Sequence, residues 1–307
     1  MKYRRLGKTH LRISVIGIGT WQFGGEWGKD FAQDEVTSML RRGRELGLNL
    51  IDTAECYGDH LSESLIGRAI EGDRADWVIA TKFGHKYHGY MDRSEPRSPA
   101  DVMQQLEDSL RALRTDYVDV YQYHSMRNSE YDDEALRDVL RKAKRDGKVR
   151  HIGASISPND NMYQTDGATT AGVETIQVVY NRLDRKPEPA ILPSCRRQDL
   201  GVFARVPLAS GFLSGKYRPG VTFAPNDTRH EQKPEQRDEK LREVERIARE
   251  ELPPGTPMAQ WALAWCLRHD AITAVIPGCK NLAQIESNAA AANLDMVRDD
   301  HPQAWRA

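Results

Sequence analysis

Four polar side chains of complementary chemistry stand at or just after the ends of three predicted β-strands. Asp52, Lys82 and His124 end these strands, and Tyr57 follows Asp52 by five residues. A tyrosine can act as a general acid, and a neighbouring ammonium lowers the pKa of the phenol from its usual value of about 10. A carboxylate would keep that lysine charged, and an imidazole would donate a hydrogen bond to a substrate carbonyl oxygen. The set predicts acid–base chemistry on a carbonyl group, with the pKa of Tyr57 lowered towards neutrality.

Each of these residues also has an ordinary structural interpretation. Asp52 and Lys82 could form a plain ion pair, His124 could be a core histidine, and Tyr57 could be a loop aromatic residue. All four lie at matched strand ends, however, and this favours a catalytic site.

Short β-runs alternate with amphipathic helical stripes along nearly the whole chain. The runs cover residues 15–17, 50–52, 78–82, 118–124, 149–155, 176–180, 201–206 and 274–277. In the stripe after the first run, Val36, Met39 and Leu40 have the i, i+3, i+4 spacing of one helix face. Eight such units predict an α/β fold, a (β/α)8 TIM barrel forming one domain over residues 1–307. A doubly wound sheet is less favoured, because residues 17–22 (GIGTWQ) place glutamine where the dinucleotide fingerprint needs its third glycine.

The connections predict which end of the barrel carries the site. An N-terminal β-hairpin, residues 3–5 against 12–14, is expected to cap the bottom of the barrel. The helix-to-strand connections are short, whereas the strand-to-helix segments 83–99 and 206–234 are long. Long βα loops indicate a site at the C-terminal face, with residues 206–234 as a lid.

Composition excludes several classes of protein. The 44 Lys and Arg residues nearly balance the 45 Asp and Glu residues, which gives a formal charge of -1 and no support for nucleic-acid binding. No apolar run is long enough to span a membrane, and the charged N-terminus lacks a secretory signal. The four cysteines are scattered, and the histidines are irregularly spaced for a metal site. We therefore expect a cytoplasmic protein that binds no membrane, nucleic acid or metal.

Several segments together resemble the aldo-keto reductase superfamily, in its bacterial-type, potassium-channel β-subunit-like branch. They are residues 17–21 (GIGTW), 51–58 (IDTAECYG) with Ser62 and Glu63, 80–82 (ATK), 119–124 (DVYQYH), 207–211 (PLASG) with Gly215 and Lys216, and 276–278 (IPG) with Lys280, Gln284 and Asn288. They occur in the family's order from the first strand to the last helix, which makes chance agreement very improbable.

The resemblance implies reversible, NADPH-dependent reduction of an aldehyde or ketone by hydride transfer. Tyr57 would protonate the carbonyl oxygen with help from Lys82 and Asp52, and His124 would orient the carbonyl. The residues implied to bind the cofactor are Gly19, Thr20, Trp21, Ser155, Gln177, Arg205, Pro207, Leu208, Ser210, Gly211, Leu213, Gly215, Lys216, Gly278, Lys280, Gln284 and Asn288.

Within that set, Ser155 and Gln177 would hold the nicotinamide carboxamide, and the loop 208–216 would lie over the pyrophosphate. Lys280 would meet the 2′-phosphate, which favours NADPH over NADH. Gln284 is also expected to cap the last helix, behind Asn281. Trp21 and Tyr87 are the expected substrate contacts.

Two positions depart from the family pattern. Ile156 follows Ser155 where the family usually has asparagine, so one carboxamide contact is missing or replaced. Arg205 occupies the place of the tyrosine that stacks on the nicotinamide in many members. A guanidinium can also lie flat on a ring. Its charge could instead shift the redox balance of the nicotinamide or attract an acidic substrate.

Two other functions remain open at this point. Lys82 could form a Schiff base in an aldolase, although Asp52 would keep its amine charged. The chain could also be a non-catalytic module that senses nicotinamide nucleotides, like the potassium-channel β-subunits of this fold. The sequence names neither the carbonyl substrate nor the number of subunits.

Overall fold

The computed structural model describes residues 1–306, and its centre is a barrel of eight parallel strands. The strands are Ile18–Gly19 (β3), Leu50–Asp52 (β4), Val78–Phe83 (β5), Val118–His124 (β8), Val149–Ser155 (β9), Thr175–Val179 (β10), Gly201–Arg205 (β11) and Ala274–Val275 (β12). They pair in chain order from β3 to β12. Parallel bridges from Ile16 to Val275 and from Gly19 to Gly278 close the barrel between its first and last strands. The predicted barrel is confirmed.

The helices follow the strands. They are Gln33–Glu45 (α1), Leu61–Ala69 (α2), Pro99–Leu113 (α3), Asn128–Tyr131 (α4), Glu134–Arg145 (α5), Met162–Asp166 (α6), Ile191–Arg197 (α7), Pro234–Glu250 (α8), Met258–Leu267 (α9) and Leu282–Ala290 (α10). In α1 the predicted stripe Val36, Met39 and Leu40 is buried in the main hydrophobic core. Within residues 1–306, none of these helices has the length and apolar character needed to cross a membrane.

The first barrel strand lies later in the chain than the sequence predicted. The expected strand at residues 15–17 is wrong, and the ladder with β4 is formed by Ile18 and Gly19. Residues 15–17 instead bond across the closing seam, where Gly17 N donates to Val275 O at 2.8 Å. Apolar character extends without interruption from Val15 to Ile18, so hydrophobicity alone does not locate the strand.

The N-terminal hairpin closes the bottom of the barrel as predicted. Tyr3–Arg5 (β1) pairs with Arg12–Ser14 (β2). Leu6 packs inside with Val120 and Phe203. Gly7 is required in the turn, because its φ is +50° and a Cβ there would lie 2.2 Å from Gly201 N.

Two long loops cover the opposite end. The segment after β5 contains a hairpin that the sequence did not predict, Lys86–Gly89 (β6) against Asp92–Ser94 (β7). The lid, defined here as residues 206–233, reaches across to the loop after β3. Trp27 bridges Asp227, and Thr228 N donates to Glu26 O at 3.1 Å. These backbone contacts therefore hold the lid across the barrel mouth, against the loop that follows β3.

Candidate active site

Strand register brings the four predicted catalytic residues to one place at the barrel mouth. Asp52 ends β4, Lys82 is the second-last residue of β5, and His124 ends β8. Tyr57 lies in the turn between β4 and α2. Neighbouring parallel strands end at the same edge, so side chains up to 72 positions apart in the chain meet there.

Lys82 is the buried centre of this group. Its Nζ donates to Asp52 Oδ1 at 2.8 Å, to Thr53 O at 2.6 Å and to Tyr57 Oη at 3.2 Å. Burial by itself would lower the pKa of Lys82, but the charge of Asp52 and the contact with Tyr57 outweigh burial and raise it. The ammonium is therefore charged, with all three of its N–H groups engaged.

The protonation of Tyr57 differs from the sequence-based expectation. Burial raises the pKa of Tyr57 to about 12, and the nearby Lys82 charge only partly opposes this. The predicted lowering towards neutrality is thus wrong for the free protein, because desolvation of the phenolate outweighs its attraction to one ammonium. Tyr57 carries its proton at neutral pH, and its Oη accepts from Lys82, so the hydroxyl hydrogen is free to be donated.

His124 is held neutral beside this phenol. Its ring centroid lies 6.4 Å from that of Tyr57. Burial first, and then the charge of Lys82, lowers the pKa of His124 well below its usual value. His85, which the sequence did not single out for the site, packs edge-on against His124 with centroids 4.7 Å apart. A neutral imidazole keeps one N–H for a substrate oxygen.

Asp52 is oriented by amides as well as by Lys82. Its Oδ2 accepts from Gln177 Nε2 at 2.6 Å and from Gln122 Nε2 at 3.3 Å. Ser155 Oγ donates to Gln177 Oε1 at 3.2 Å. The two predicted carboxamide-binding residues are therefore joined to the carboxylate of Asp52, and Gln122 is a residue that the sequence analysis missed.

One side-chain cluster here has the composition of a metal site. Ligand atoms of Glu55, Cys56 and His124 lie within 4.8 Å of one another. Burial raises the pKa of Glu55 to about 8 and that of the Cys56 thiol far above its usual value. Metal ligation needs the thiolate and the carboxylate, so these protonated groups make a poor ligand set.

A cavity of about 500 Å³ extends from this group under the lid to α10. Most predicted site residues line it: Gly19, Thr20, Trp21, Asp52, Tyr57, His124, Gln177, Arg205, Pro207, Leu208, Ser210, Gly211, Lys216, Gly278, Lys280, Gln284 and Asn288. Its size is in the range of small-molecule and cofactor sites.

Five predicted residues do not line this cavity. Lys82 and Ser155 lie behind Tyr57 and Gln177, to which they donate hydrogen bonds. Leu213 is buried, Gly215 packs near Met258, and Tyr87 lies in the β6–β7 hairpin. Arg93 of the same hairpin does line the cavity, and a substrate contact by Tyr87 stays a prediction.

Several lining residues had not been predicted. They include Gln22, Trp27, His85, Arg93, Tyr217 and Arg229. Arg93 arrives on β7 and pairs with the buried Glu26, and Trp21 Nε1 donates to the same carboxylate at 2.7 Å. Only the unpredicted hairpin and the folded lid bring Arg93 and Arg229 to the mouth. The position of Trp21 directly after a strand did predict its place in the wall, where it stacks 6.0 Å from Tyr57.

Cationic side chains surround the far end of the cavity. Lys280 Nζ donates to Trp27 O and lies 3.7 Å from Asp227 Oδ2. Arg229 pairs with Asp227 at 2.6 Å. Gln284 Oε1 accepts from Lys280 N at 2.7 Å, while Gln284 N donates to the N-cap Asn281. Asn281 thus caps α10 as expected, but the Gln284 side chain bonds to Lys280 N, one residue before the N-cap, instead of to the backbone N–H of Asn281.

The cavity also passes a test of fit for a nicotinamide dinucleotide. Three buried polar atoms of its lining residues have no hydrogen-bond partner in residues 1–306: Gln22 Oε1, Trp27 Nε1 and Arg205 Nε. At the start of the lid, Ser210 and Gly211 have positive φ values of 59° and 90°, as in backbone loops that present N–H groups to phosphate. Unpaired polar atoms and cations at one end suit a long, polar, anionic ligand.

A family model, described as the aldo/keto reductase family, matches residues 15–305. The chain belongs to the aldo/keto reductase family. This aldo/keto reductase is an oxidoreductase of a family that reduces carbonyl compounds with nicotinamide cofactors.

Its relatives cover nearly the whole chain. It is 30% identical to the uncharacterized oxidoreductase YqkF of Bacillus subtilis, over 99% of this chain and 95% of YqkF. It is 28% identical to the NADH-specific methylglyoxal reductase of Escherichia coli, over 98% of this chain and 96% of that enzyme. Among solved structures, aldo-keto reductase AKR11C1 from Bacillus halodurans in its holo form matches with a TM-score of 0.81 and 28% identity, covering 99% of this chain and 94% of its own.

Proposed function

We propose that this aldo/keto reductase reduces an aldehyde or ketone to the alcohol, reversibly, with NADPH and with Tyr57 as the general acid. The observation that carries the proposal is the contact between Tyr57 Oη and the charged Lys82 Nζ at 3.2 Å, beside the neutral His124. A protonated phenol, a cation to stabilise the phenolate and a hydrogen-bond donor for the carbonyl are the groups that this reduction needs.

Each residue has one task in this mechanism. A nicotinamide nucleotide bound in the cavity supplies the hydride. His124 donates an N–H to the carbonyl oxygen and orients it, and Tyr57 Oη gives that oxygen its proton. Lys82 stabilises the remaining phenolate until solvent reprotonates it. Asp52 keeps Lys82 charged and in position, and Trp21 forms the wall beside Tyr57.

The preference for NADPH rests on charge at the far end of the cavity. Lys280, Lys216 and Arg229 all line that region, while Asp227 is the acidic residue beside Lys280 and Arg229. The negative charge of a 2′-phosphate would balance this excess of positive charge. One relative is named an NADH-specific reductase, so the two nucleotides must be compared directly.

The aldolase alternative is disfavoured by the surroundings of Lys82. A Schiff base requires a neutral amine with a free lone pair. Here the amine is charged and donates all three of its hydrogen bonds.

Fluorescence titration with NADPH and NADH, followed by a panel of aldehydes and ketones, tests the function. We expect tighter binding of NADPH, turnover of a carbonyl, and a loss of about 10²–10⁴-fold in kcat for Tyr57→Phe with NADPH affinity retained. Failure to bind either nucleotide, or an unchanged Tyr57→Phe variant, would contradict the proposal. Tight nucleotide retention without turnover would favour the sensing module, and borohydride trapping of substrate on Lys82 would favour the aldolase.

A further inference from the structure

Of the cations that line the cavity, Arg205 and Lys216 have no acidic residue paired with them in residues 1–306, and Lys216 is exposed to solvent. Lys82 pairs with Asp52, Arg93 with Glu26 and Arg229 with Asp227. For Arg205, no carboxylate oxygen in residues 1–306 lies within 4.0 Å. Arg93, Arg205 and Arg229 line the same cavity, and Lys82 lies just behind Tyr57.

The guanidinium of Arg205 is also poorly satisfied in its hydrogen bonds. A single contact is made, from Nη2 to Ile156 O at 3.4 Å, and the buried Nε has no partner within residues 1–306. Burial lowers the pKa of Arg205 from its usual value. An arginine nevertheless stays protonated in proteins, so the fold tolerates a costly charge at this wall, which the more distant Asp52 and Asp184 offset only in part.

The position of Arg205 relates this charge to the reacting end of the cavity. Arg205 ends β11 and pairs with Val179, two residues beyond Gln177 on β10. Its contact, Ile156, directly follows Ser155, the residue that donates to Gln177. The charge of Arg205 is also among the causes that lower the pKa of His124, after burial, Lys82 and His85. A nicotinamide ring held at Gln177 would therefore lie beside the guanidinium of Arg205.

We propose that Arg205 is a specificity-determining residue that makes the site bind reduced nicotinamide nucleotide in preference to the oxidised form. This inference rests on the proposed function, in which the nicotinamide is held at Ser155 and Gln177. The reduced ring is neutral and the oxidised ring carries a positive charge. The oxidised ring alone is repelled by an unpaired cation, and the low dielectric of a closed cavity strengthens that repulsion.

The consequence is a directional nucleotide cycle. The enzyme loads with NADPH, and after turnover the oxidised nucleotide leaves more readily because its ring meets a like charge. Lys82, the cation beside Tyr57, is balanced by Asp52 at 2.8 Å, so the selectivity is assigned to Arg205.

The test measures the dissociation constants of NADPH and NADP⁺ for the whole protein and for three variants. Arg205→Gln should lower the ratio of the NADP⁺ to the NADPH dissociation constant by at least about tenfold, whereas Arg205→Lys, which keeps the charge, should leave it near the wild-type value. Lys280→Gln is the matched control, because both nucleotides carry the 2′-phosphate, so this variant should weaken both equally and leave the ratio unchanged. Thermal melting checks that each variant is folded.

Three results would overturn the inference while leaving the proposed function in place. The ratio could be the same in Arg205→Gln and wild type, or Arg205→Lys could behave like Arg205→Gln, which would assign the role to the planar group instead of the charge. A rise in KM confined to carbonyl substrates that carry a carboxylate, with no change in the nucleotide ratio, would assign Arg205 to the substrate. Failure of the wild-type protein to bind either nucleotide would instead overturn the proposed function itself.

Discussion

Among the proposed catalytic residues, the same burial acts on three groups with different outcomes. It raises the pKa of Tyr57 and lowers that of His124, so both stay neutral. Lys82 is the exception, because its contact with Asp52 at 2.8 Å outweighs the cost of burial. The site thus places one cation between a carboxylate and a phenol that still holds its proton.

These protonation states predict an unusual pH profile. A general acid works below its pKa and fails above it, and the pKa of Tyr57 is raised to about 12. The pKa of His124 is lowered well below its usual value, so its neutral form persists into mild acid. We expect kcat/KM for carbonyl reduction to stay nearly flat from about pH 6 to about pH 10.

Steady-state rates in constant-ionic-strength buffers measure this profile, with protein stability checked at each pH. A fall in kcat/KM that begins near neutrality and disappears in Tyr57→Phe would show that Lys82 lowers the phenol pKa more strongly than burial raises it.

At the scale of secondary-structure elements, parallel strands supply the reacting groups and the loops supply the enclosure. The strand ends hold Asp52, Lys82 and His124 rigidly. The lid meets the loop after β3 through the Trp27–Asp227 bridge, and Asp227 also pairs with Arg229 and lies 3.7 Å from Lys280. The backbone of Asp227 therefore joins the lid to the loop after β3, while its carboxylate pairs with Arg229 on the lid and lies near Lys280, just before α10.

This arrangement predicts that Asp227→Ala loosens the lid. The substitution leaves Arg229 without its partner in a buried position, which is strongly destabilising locally. We expect NADPH dissociation to become about tenfold faster, while the chemical step in single-turnover experiments changes little. Stopped-flow fluorescence measures both rates.

Arg218→Ala is the control for the lid variant. Arg218 lies on the same segment, but its side chain is exposed. Its ion pair with Glu245 is long, at 3.7 Å, and therefore weak. Its loss should leave the dissociation rate unchanged, and an equal effect in the two variants would refute a specific role for Asp227.

In the molecule as a whole, the two ends of the barrel have separate functions. The bottom is closed by the hairpin and by the C-terminal tail, where Arg5 N donates to Gln303 O at 2.7 Å and Trp305 N to Tyr3 O at 2.9 Å. All four cysteines are buried and free. This suits a reducing compartment, and a cytoplasmic location stays a prediction.

Acid stability should depend on an ion-pair cluster that joins α5, β9 and β10. Glu174 accepts from Lys144 at 2.8 Å and from His151 at 2.9 Å. Burial alone would raise the pKa of Glu174, but these two partners lower it to about 2. A carboxyl group with a lowered pKa stabilises the fold above its unfolded-state pKa, and this stabilisation is lost as pH falls through the folded-state value.

Glu174→Gln should therefore lower the free energy of unfolding at pH 7 by about 1–2 kcal/mol, a figure reduced because the pair is partly exposed. The difference from wild type should disappear between about pH 4.5 and about pH 2. Urea unfolding at several pH values measures it. Glu71→Gln, which removes an exposed partner of Arg114, is the control, and a pH-independent difference for Glu174→Gln would contradict the assignment.

The sequence by itself determined the barrel, its N-terminal hairpin and the meeting of Asp52, Tyr57, Lys82 and His124 at one end of the barrel. Local periodicity predicts the strands and helices. Because parallel strands end at one edge of the sheet, Asp52, Lys82 and His124 are then expected to lie together, without knowledge of any other contact. The single domain over residues 1–307 stays a prediction.

Only the tertiary structure decided the protonation of Tyr57, the location of β3 and the residues that enclose the cavity. The pKa of a phenol depends on desolvation by groups distant in the chain, and spacing does not report desolvation. Arg93 and Arg229 come from loops whose backbone hydrogen bonds form only after folding. Likewise, the sequence showed a cation at position 205, but the fold determined that no carboxylate oxygen in residues 1–306 lies within 4.0 Å of it, because pairing depends on every element that packs around that side chain.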